Sequence, residues 1–534
     1  MAARKRKQKK IKPVYVIDCE TDPFSHGAEI RPFVWGCFDG VTFQTFRETK
    51  AMVAFLANGE EKIVYAHNGG KFDYHQPGFL DALMPGQKVM IINGRLAKFR
   101  IGNAEFRDSY NILPIALSEY KKDDIDYKKM DRKVRHLHMP EILKYLEGDC
   151  RYLYEIVMAF IGKYSQTLTL AGAAMKYWSA TRAEGAPQTD SGFYKMLKPY
   201  YHGGRVQPFH MGRINEPFSM YDIKSAYPYA MLHQHPYSTV PIVENDPEIV
   251  EDQGFYDVHC ISRGAFPYRT KDDGLTFPDD DAFRTYQVTG WELRAARETG
   301  TIVGERILKG IRFVYKTNFI NYVTTFYDMK ANAKKGSPEY IMAKLLLNSL
   351  YGKFGANPDE YSNFVVEDPA FARAAEEADG CCLAGSLGPW AILESPLYYM
   401  QKRFYHVGVA ASITGFVRAY LWRAICALGR ENVLYCDTDS IACKGTRDDS
   451  LTIGKELGNW EAEGRFVNGG IAGRKLYAFL SDKGAWKVAS KGVRLSAEQI
   501  LQVCDGQAVS YQKESPTYSV GQGMRYITRK VKMA

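Results

Sequence analysis

Residues 432–443 read NVLYCDTDSIAC, and in them two aspartates, Asp437 and Asp439, flank Thr438 between two apolar runs. Burying one carboxylate beside apolar sequence is costly, and a second beside it adds charge repulsion. A D-T-D of this kind is commonly a charged hairpin turn, but its apolar flanks argue against exposure, so something cationic must compensate the pair. Asp222, ending an apolar stretch in MYDIKSAYP, supplies a third acid. Carboxylates projected from adjacent strands are hard oxygen ligands, which select Mg2+ or Mn2+. Nucleotidyl transfer needs one metal to lower the pKa of an attacking hydroxyl and a second to hold a triphosphate and its leaving pyrophosphate. The pattern therefore predicts two ions shared among Asp222, Asp437 and Asp439.

Between these acids lies KLLLNSLYGKFGANP, residues 344–358. Lys344, Asn348 and Tyr351 fall at i, i+4 and i+7, one helix face, with Leu346, Leu347 and Leu350 on the other to pack. An ammonium, an amide and an aromatic ring on one stripe suit a nucleotide. An ordinary amphipathic helix with a solvated lysine fits the same spacing.

A second set of acids lies in the first third, where apolar runs (VYVID, KIVYAH, AKFRIG, EFRDSY) precede a helical stretch from residue 140. This predicts a mixed sheet flanked by helices. Asp18 and Glu20 in DCE point to one face of a strand, Asp73 follows in NGGKFD, and Tyr145 and Asp149 share a helix face in YLEGD. Any one of these acids alone reads more readily as a surface charge or a cap. Four on three elements read as a nuclease in which two ions, about 4 Å apart, stabilise an attacking water and a leaving oxygen.

Composition limits the alternatives. The content, 46% hydrophobic and 25% charged, is that of a globular protein with several domains. No stretch reaches a membrane span, and MAARKRKQKKIK lacks the apolar region of a signal peptide, so a cytoplasmic protein without membrane contact is expected. Of the formal charge of +9, the first twelve residues carry +7, so bulk charge says little about a polyanion partner. No two of the ten cysteines have C-x-x-C spacing, so reduced thiols and no structural zinc are expected. TRAEGAPQTDS, residues 181–191, is a linker candidate, and FSMYDIKSAYPYAM reads as strand-like. Residues 319–353 read as a helical pair, 412–429 as a helix, and the helical pattern rises again near the C-terminus.

Taken in order, D-C-E, N-x-x-x-F-D, Y-x-x-x-D, Y-H-G-G at 201–204, D-x-x-S-x-Y-P at 222–228, K-x-x-x-N-S-x-Y-G at 344–352, Y-C-D-T-D-S and K-x-Y at 475–477 resemble the motifs of family B DNA polymerases, across nearly the whole chain. The resemblance implies an α/β and α+β multidomain fold: an RNase H-like DEDD exonuclease domain, then a right-hand polymerase of palm, fingers and thumb with two inserted subdomains. The expected borders are a basic tail at 1–12, exonuclease 13–185, palm 186–240 and 404–497, insertions 241–318 and 358–403, fingers 319–357, and thumb 498–534.

The resemblance also implies roles. Asp18, Glu20, Asp73 and Asp149 would hold two ions, and Tyr145, with Lys122, would serve the attacking water. Thr21, Asn68, Phe72, Ser109 and Tyr127 would hold an unpaired 3′ end, although Tyr110 stands where the protein-primed subgroup usually has leucine. Asp222, Asp437, Asp439 and the backbone of Ile223 would hold the other pair of ions. Lys344 and Lys330 would meet the incoming triphosphate. Asn348, Tyr351 and Gly352 would line the nascent pair, and Tyr227 would exclude a 2′-hydroxyl. Lys475 and Tyr477 would steady the primer terminus, and Tyr201, Gly203 and Gly204 would approach the template. Ala226 replaces a common leucine, a change of packing. The insertions imply the protein-primed phage and mobile-element subgroup, with a terminal protein, DNA template and primer, and dNTPs as partners of a monomer. The alternatives are a family B polymerase that extends ordinary primers or starts unaided, and a DEDD nuclease or DNA-binding protein with an inactive polymerase half.

Overall fold

The computed structural model describes residues 12–182, 185–270, 274–358, 361–379, 381–394, 404–446, 448–519 and 521–533. The basic tail up to residue 11 lies outside the described residues, as does part of the expected linker.

The β-branched and aromatic runs of the first third pair as their patterning predicts. Val14–Thr21 runs parallel to Lys62–Ala66, which runs parallel to Ala104–Asp108, while Pro32–Phe38, Arg95–Ile101 and Lys88–Ile92 add antiparallel strands. The long helix Arg135–Tyr164 crosses this sheet, burying Leu146, Cys150, Leu153 and Val157. It begins before the expected residue 140 and carries Pro140 within it. The close approach depends on Gly36, where a Cβ would stand 2.9 Å from Leu146 and 3.1 Å from the Cys150 sulfur.

The expected insertion, 358–403, is described over 358, 361–379 and 381–394, and its strands join the N-terminal sheet. Tyr361–Glu367 pairs with Lys88–Ile92, and Trp390–Glu394 and Cys382–Leu387 follow, making one ten-stranded sheet with the N-terminal strands. Lys88–Ile92 would otherwise present unpaired backbone groups, and the added strand satisfies them.

A second sheet has the order Trp486–Ser490, Leu476–Ser481, Trp460–Gly473, Phe218–Ile223, Ser440–Lys444, Val433–Asp437, Val206–Pro208. Beneath it runs Val407–Ala427, a helix buried on nearly all sides because its sequence is apolar all round. It starts five residues before the expected 412, since Val407, Val409 and Ala410 bury like the rest. The strand-like reading of FSMYDIKSAYPYAM holds only to Ile223: Ser225 turns the chain in a left-handed conformation (φ 52°) into the helix Ala226–Met231. Residues 319–353 form not two helices but three, Ile320–Asn332, Pro338–Leu347 and Leu350–Phe354. The C-terminus carries one helix, Ala497–Cys504, and then two nested antiparallel pairs, Val509–Gln512 with Thr528–Val531 enclosing Thr517–Ser519 with Gly523–Arg525, rather than a helical tail. No helix among the described residues is long and apolar enough to cross a membrane.

Residues 241–313 form a four-stranded antiparallel sheet with the helix Gly290–Glu298. That helix is locked to the buried helix by a fully buried ion pair, besides the exposed one between Arg423 and Glu298. The Arg418 Nε lies 2.7 Å from Glu292 Oε1, and both side chains are 2% exposed. Glu292 Oε2 accepts from the Thr289 amide (3.0 Å) and hydroxyl (2.9 Å), and Arg418 Nη1 donates to the carbonyls of His202 (2.6 Å) and Gly203 (2.8 Å). Removing one partner of such a pair strands a buried charge. Glu292→Ala should cost about 3–5 kcal/mol, read as a shift in the urea midpoint, and Glu292→Leu/Arg418→Met should recover most of it.

Candidate functional site

The predicted acids gather into two separate groups. In the first, strand Val14–Thr21 delivers Asp18 and Glu20 to a cavity of about 510 Å3, and helix Arg135–Tyr164 delivers Tyr145 and Asp149 to the same space. Thr21, Phe72, Lys122 and Tyr127 also line it. Asp73 lies just behind, 3% exposed, accepting from the Cys19 thiol at 3.4 Å. Burial pushes Glu20 up to about 8 and Asp73 to about 7; burial, then the charges of Asp73 and Asp149, raises Asp18 as well. Asp149 is raised by burial, and its Oδ1 is buried without a hydrogen-bond partner. The Tyr127 and Tyr145 hydroxyls are 3.1 Å apart, with Lys122 Nζ 5.9 and 5.7 Å from their ring centres. Burial opposes the Lys122 charge, but the Tyr127 hydroxyl and the carboxylates of Asp149 and Asp18 outweigh it and raise its pKa.

Asn68 sits in a left-handed turn (φ 63°), its amide oxygen accepting from Arg95 Nη1 at 2.6 Å. The same guanidinium nitrogen meets Asp108 at 2.6 Å, and the Tyr110 ring covers it at 4.4 Å. The tyrosine that replaces the usual leucine thus has a partner of its own. Ser109 departs from expectation. It is fully buried, donating to the Ala66 carbonyl (3.2 Å) and bonded to His67 (3.0 Å), so its hydroxyl orients neighbours and is not open to a strand.

The second group follows from strand register. Asp222 pairs with Ser440, and Ser440 pairs with Asp437, so these three positions lie abreast on adjacent strands, with Asp439 in the intervening turn. Thr438 is left-handed (φ 62°), a strained conformation for a β-branched residue. Its amide donates to the Arg205 carbonyl at 2.7 Å, and the Ile223 amide donates to the Asp439 carbonyl at 2.7 Å. Burial, then Asp439, raises Asp222 to about 7; burial, then Asp437, raises Asp439 to about 6. Lys475, itself left-handed (φ 55°), places Nζ 2.7 Å from Asp437 Oδ1. Part of the expected cation is therefore this ammonium.

The stripe of Lys344, Asn348 and Tyr351 is split between two helices. Pro338–Leu347 ends before Asn348, whose amide caps it by donating to the Lys344 carbonyl at 2.9 Å, and Tyr351 belongs to the next helix. Lys344 is exposed and Lys330 half-buried, and neither ammonium pairs with an acid among the described residues. Tyr351 stacks on Tyr227, 4.3 Å apart and 8° from parallel, while Gly352 stays exposed beside it. Tyr477 packs between Phe479 (4.3 Å) and Tyr435 (5.1 Å), whose hydroxyl accepts from the Lys475 amide at 2.7 Å.

The glycine turn has two distinct members. A Cβ on Gly204 would come within 2.7 Å of the Thr438 side chain, so this glycine permits the Asp437–Asp439 turn to close. Gly203 is exposed with nothing within 4 Å, leaving open backbone. Tyr201 lies against Gly355 at the end of the Leu350–Phe354 helix.

Sequence reading missed several participants. Glu461 stands directly across from Asp222, and it and Glu463 help raise that acid; the alternation WEAEG on a strand was the available signal. Arg95, Arg418 and the cavity-lining Glu514 carried no local signal, because their partners are far away in sequence. As they stand, no three acidic, histidine or cysteine side chains among the described residues form a closed metal-binding group.

A family model described as DNA polymerase type B, organellar and viral, matches residues 116–381. The DNA-directed DNA polymerase of Enterobacteria phage PRD1 is 33% identical over 569 aligned positions, covering 100% of each chain. The DNA polymerase of Bacillus phage phi29 is 23% identical over 407 positions, 69% of this chain and 66% of that one. A probable DNA polymerase of Neurospora intermedia is 25% identical, and the match spans 68% of this chain but 39% of that protein. The solved structure of phi29 DNA polymerase complexed with primer-template DNA and incoming nucleotide substrates has the same fold, with a TM-score of 0.75 at 18% identity over 98% of this chain and 100% of that one.

The raised carboxylates make stability depend on pH. Between about pH 4 and 8 the folded protein keeps protons that the unfolded chain has released, so stability falls as pH rises through this window. Each retained proton contributes about 1.4 kcal/mol per pH unit. In EDTA the melting temperature should drop from pH 5.5 to 8, Glu20→Gln should flatten the decline, and Mg2+ should restore stability at pH 8.

Proposed function

From the premise that this chain belongs to the type B DNA polymerases, as a DNA-directed DNA polymerase of the protein-primed phage kind represented by PRD1 and phi29, we propose that it joins nucleotidyl transfer at Asp222, Asp437 and Asp439 to 3′–5′ proofreading at Asp18, Glu20, Asp73 and Asp149. The observation that carries this reading is the register that sets Asp222 and Asp437 either side of Ser440, with a second carboxylate cavity, lined by none of these three acids, on the N-terminal sheet.

Both groups fit divalent cations. Their donors are hard oxygens held against mutual repulsion, and Asp149 Oδ1 lacks any other partner. Asp222, Asp437, Asp439 and the backbone of Ile223 would hold one pair of Mg2+ or Mn2+ ions, and Asp18, Glu20, Asp73 and Asp149 the other. Such ions activate an attacking hydroxyl or water and stabilise the leaving oxygen.

The chain's own groups do the positioning. Tyr227, fixed face to face with Tyr351, forms a rigid floor against which a 2′-hydroxyl would collide. Lys475 neutralises Asp437 until a primer terminus competes for it. The unpaired Lys344 and Lys330 are available to a triphosphate. In the N-terminal cavity, Tyr145 and Lys122 orient water, and Thr21, Asn68, Phe72 and Tyr127 border the place of a 3′ end.

We read residues 13–185 as the RNase H-like exonuclease domain, 186–240 and 404–497 as palm, 319–357 as fingers and 498–534 as thumb. The segments 241–318 and 358–403 are the two insertions, the first for a terminal protein whose hydroxyl starts synthesis. The enzyme would act as a monomer on template, primer and dNTPs in the cytoplasm of a phage host.

Asp437→Ala should abolish dNTP incorporation, a loss of several kcal/mol or about a thousandfold in rate, while sparing 3′ end degradation. Asp18→Ala should do the reverse. One substitution that removed both activities would refute separate sites. Incubating the enzyme with a candidate terminal protein, labelled dNTP and Mg2+ should yield a covalent protein–nucleotide product; failure with every candidate would favour ordinary primers.

A further inference from the structure

Where the helix Ser191–Leu197 and the turn Lys198–Tyr200 face the strand Tyr268–Thr270, a cavity of about 470 Å3 opens beside Tyr201. Lys195 and Lys198 border it on one side and Arg269 on the other, and none of its described lining residues is acidic. Lys195 and Arg269 are exposed and form no ion pair among the described residues. Lys198 lies over the Tyr201 ring, 4.9 Å from its centre, and Tyr268 supplies a second aromatic face.

The floor holds an unused acceptor. His202 is 6% exposed, and its Nε2 lies 3.3 Å from the Gln287 carbonyl oxygen, which can only accept, so Nε2 carries the proton. Burial and the nearby Arg418 push its pKa down to about 4, which keeps the ring neutral. Its Nδ1 is therefore a lone-pair acceptor, buried and without a partner.

A ligand for this cavity must bring negative charge to the exposed Lys195 and Arg269, a flat face to two tyrosines and an N–H or O–H to His202. A nucleotide unit carries all three, as phosphate, base and base amine or sugar hydroxyl. Cations on opposite walls suit successive phosphates of a strand passing through better than one phosphate of a free mononucleotide. We propose that this cavity is a subsite for single-stranded template DNA, with Lys195, Lys198 and Arg269 on the phosphates, Tyr201 and Tyr268 against bases, and His202 accepting from a base or sugar. The subsite rests on the template role read for the Tyr201–Arg205 turn and extends it into the first insertion. It also gives the Arg418–Glu292 pair a second consequence, since Arg418 fixes the carbonyl of the same His202.

The test uses the full chain in EDTA, by fluorescence anisotropy, with a primer–template bearing a 5′ template overhang and with blunt duplex. Lys195→Ala/Arg269→Ala should weaken overhang binding about tenfold and reduce the salt slope by about 1.4, the value for two single-strand phosphate contacts, leaving blunt duplex within about twofold. Equal weakening of both DNAs, an unchanged slope, or displacement of the overhang by millimolar dTMP would each overturn the proposal. Gly203→Val separates the premise, because it obstructs the turn and leaves these cations in place. Loss of overhang binding in that variant alone would keep the turn's role and sink the subsite; loss in the double variant alone would keep the subsite and sink the turn's role.

Discussion

Repulsion between crowded carboxylates, some buried and some half-buried, is the constraint around which this molecule is arranged. Asp18, Glu20, Asp73 and Asp149 in one place, and Asp222, Asp437 and Asp439 in another, are held near like charges at a depth where water screens them poorly. Only a rigid frame keeps such groups together, and each cluster has a sheet for that purpose. In the N-terminal half the parallel strand core and one long helix converge on the cavity. In the other half three adjacent strands fix the acids through hydrogen-bond register, and strained left-handed residues at Ser225, Thr438 and Lys475 aim the turns.

The surrounding residues moderate the repulsion unequally. Lys475 contacts Asp437 directly, whereas Lys122 stands near the aromatic rings of Tyr127 and Tyr145 rather than bonded to an acid. Asp222 forms no ion pair among the described residues, and burial, then Asp439, Glu463 and Glu461, lift it to about 7 against the weaker pull of Lys487. The charge imbalance is thus concentrated where a phosphate-bearing substrate and its counter-ions would gather.

Much of this was legible in the sequence because it is local. D-C-E and Y-x-x-x-D place acids by strand and helix periodicity, and the structure puts them on those elements, whereas Asp73 opens a 3-10 turn and Asp439 sits in the turn after Val433–Asp437. What periodicity could not give was where a stretch changes type. MYDIKSAYP continues its apolar pattern past Ser225, although the backbone there turns left-handed into a helix. The stripe of Lys344, Asn348 and Tyr351 ignores that Asn348 can cap a helix as readily as extend it. Long-range partners were equally hidden: Arg418 and Glu292 are 126 residues apart, and neither neighbourhood marks the other.

The strand Tyr361–Glu367 has a topological effect on how this chain can be divided. After the N-terminal sheet is laid down, the polypeptide leaves it, builds most of the second sheet's surroundings, and returns more than 170 residues later to add three strands at the Lys88–Ile92 edge. The halves are therefore interlaced and not beads joined by one tether. A protease nick near residue 185 would cut the connecting segment yet release no fragment, because the returning strands still clasp the first sheet through backbone hydrogen bonds.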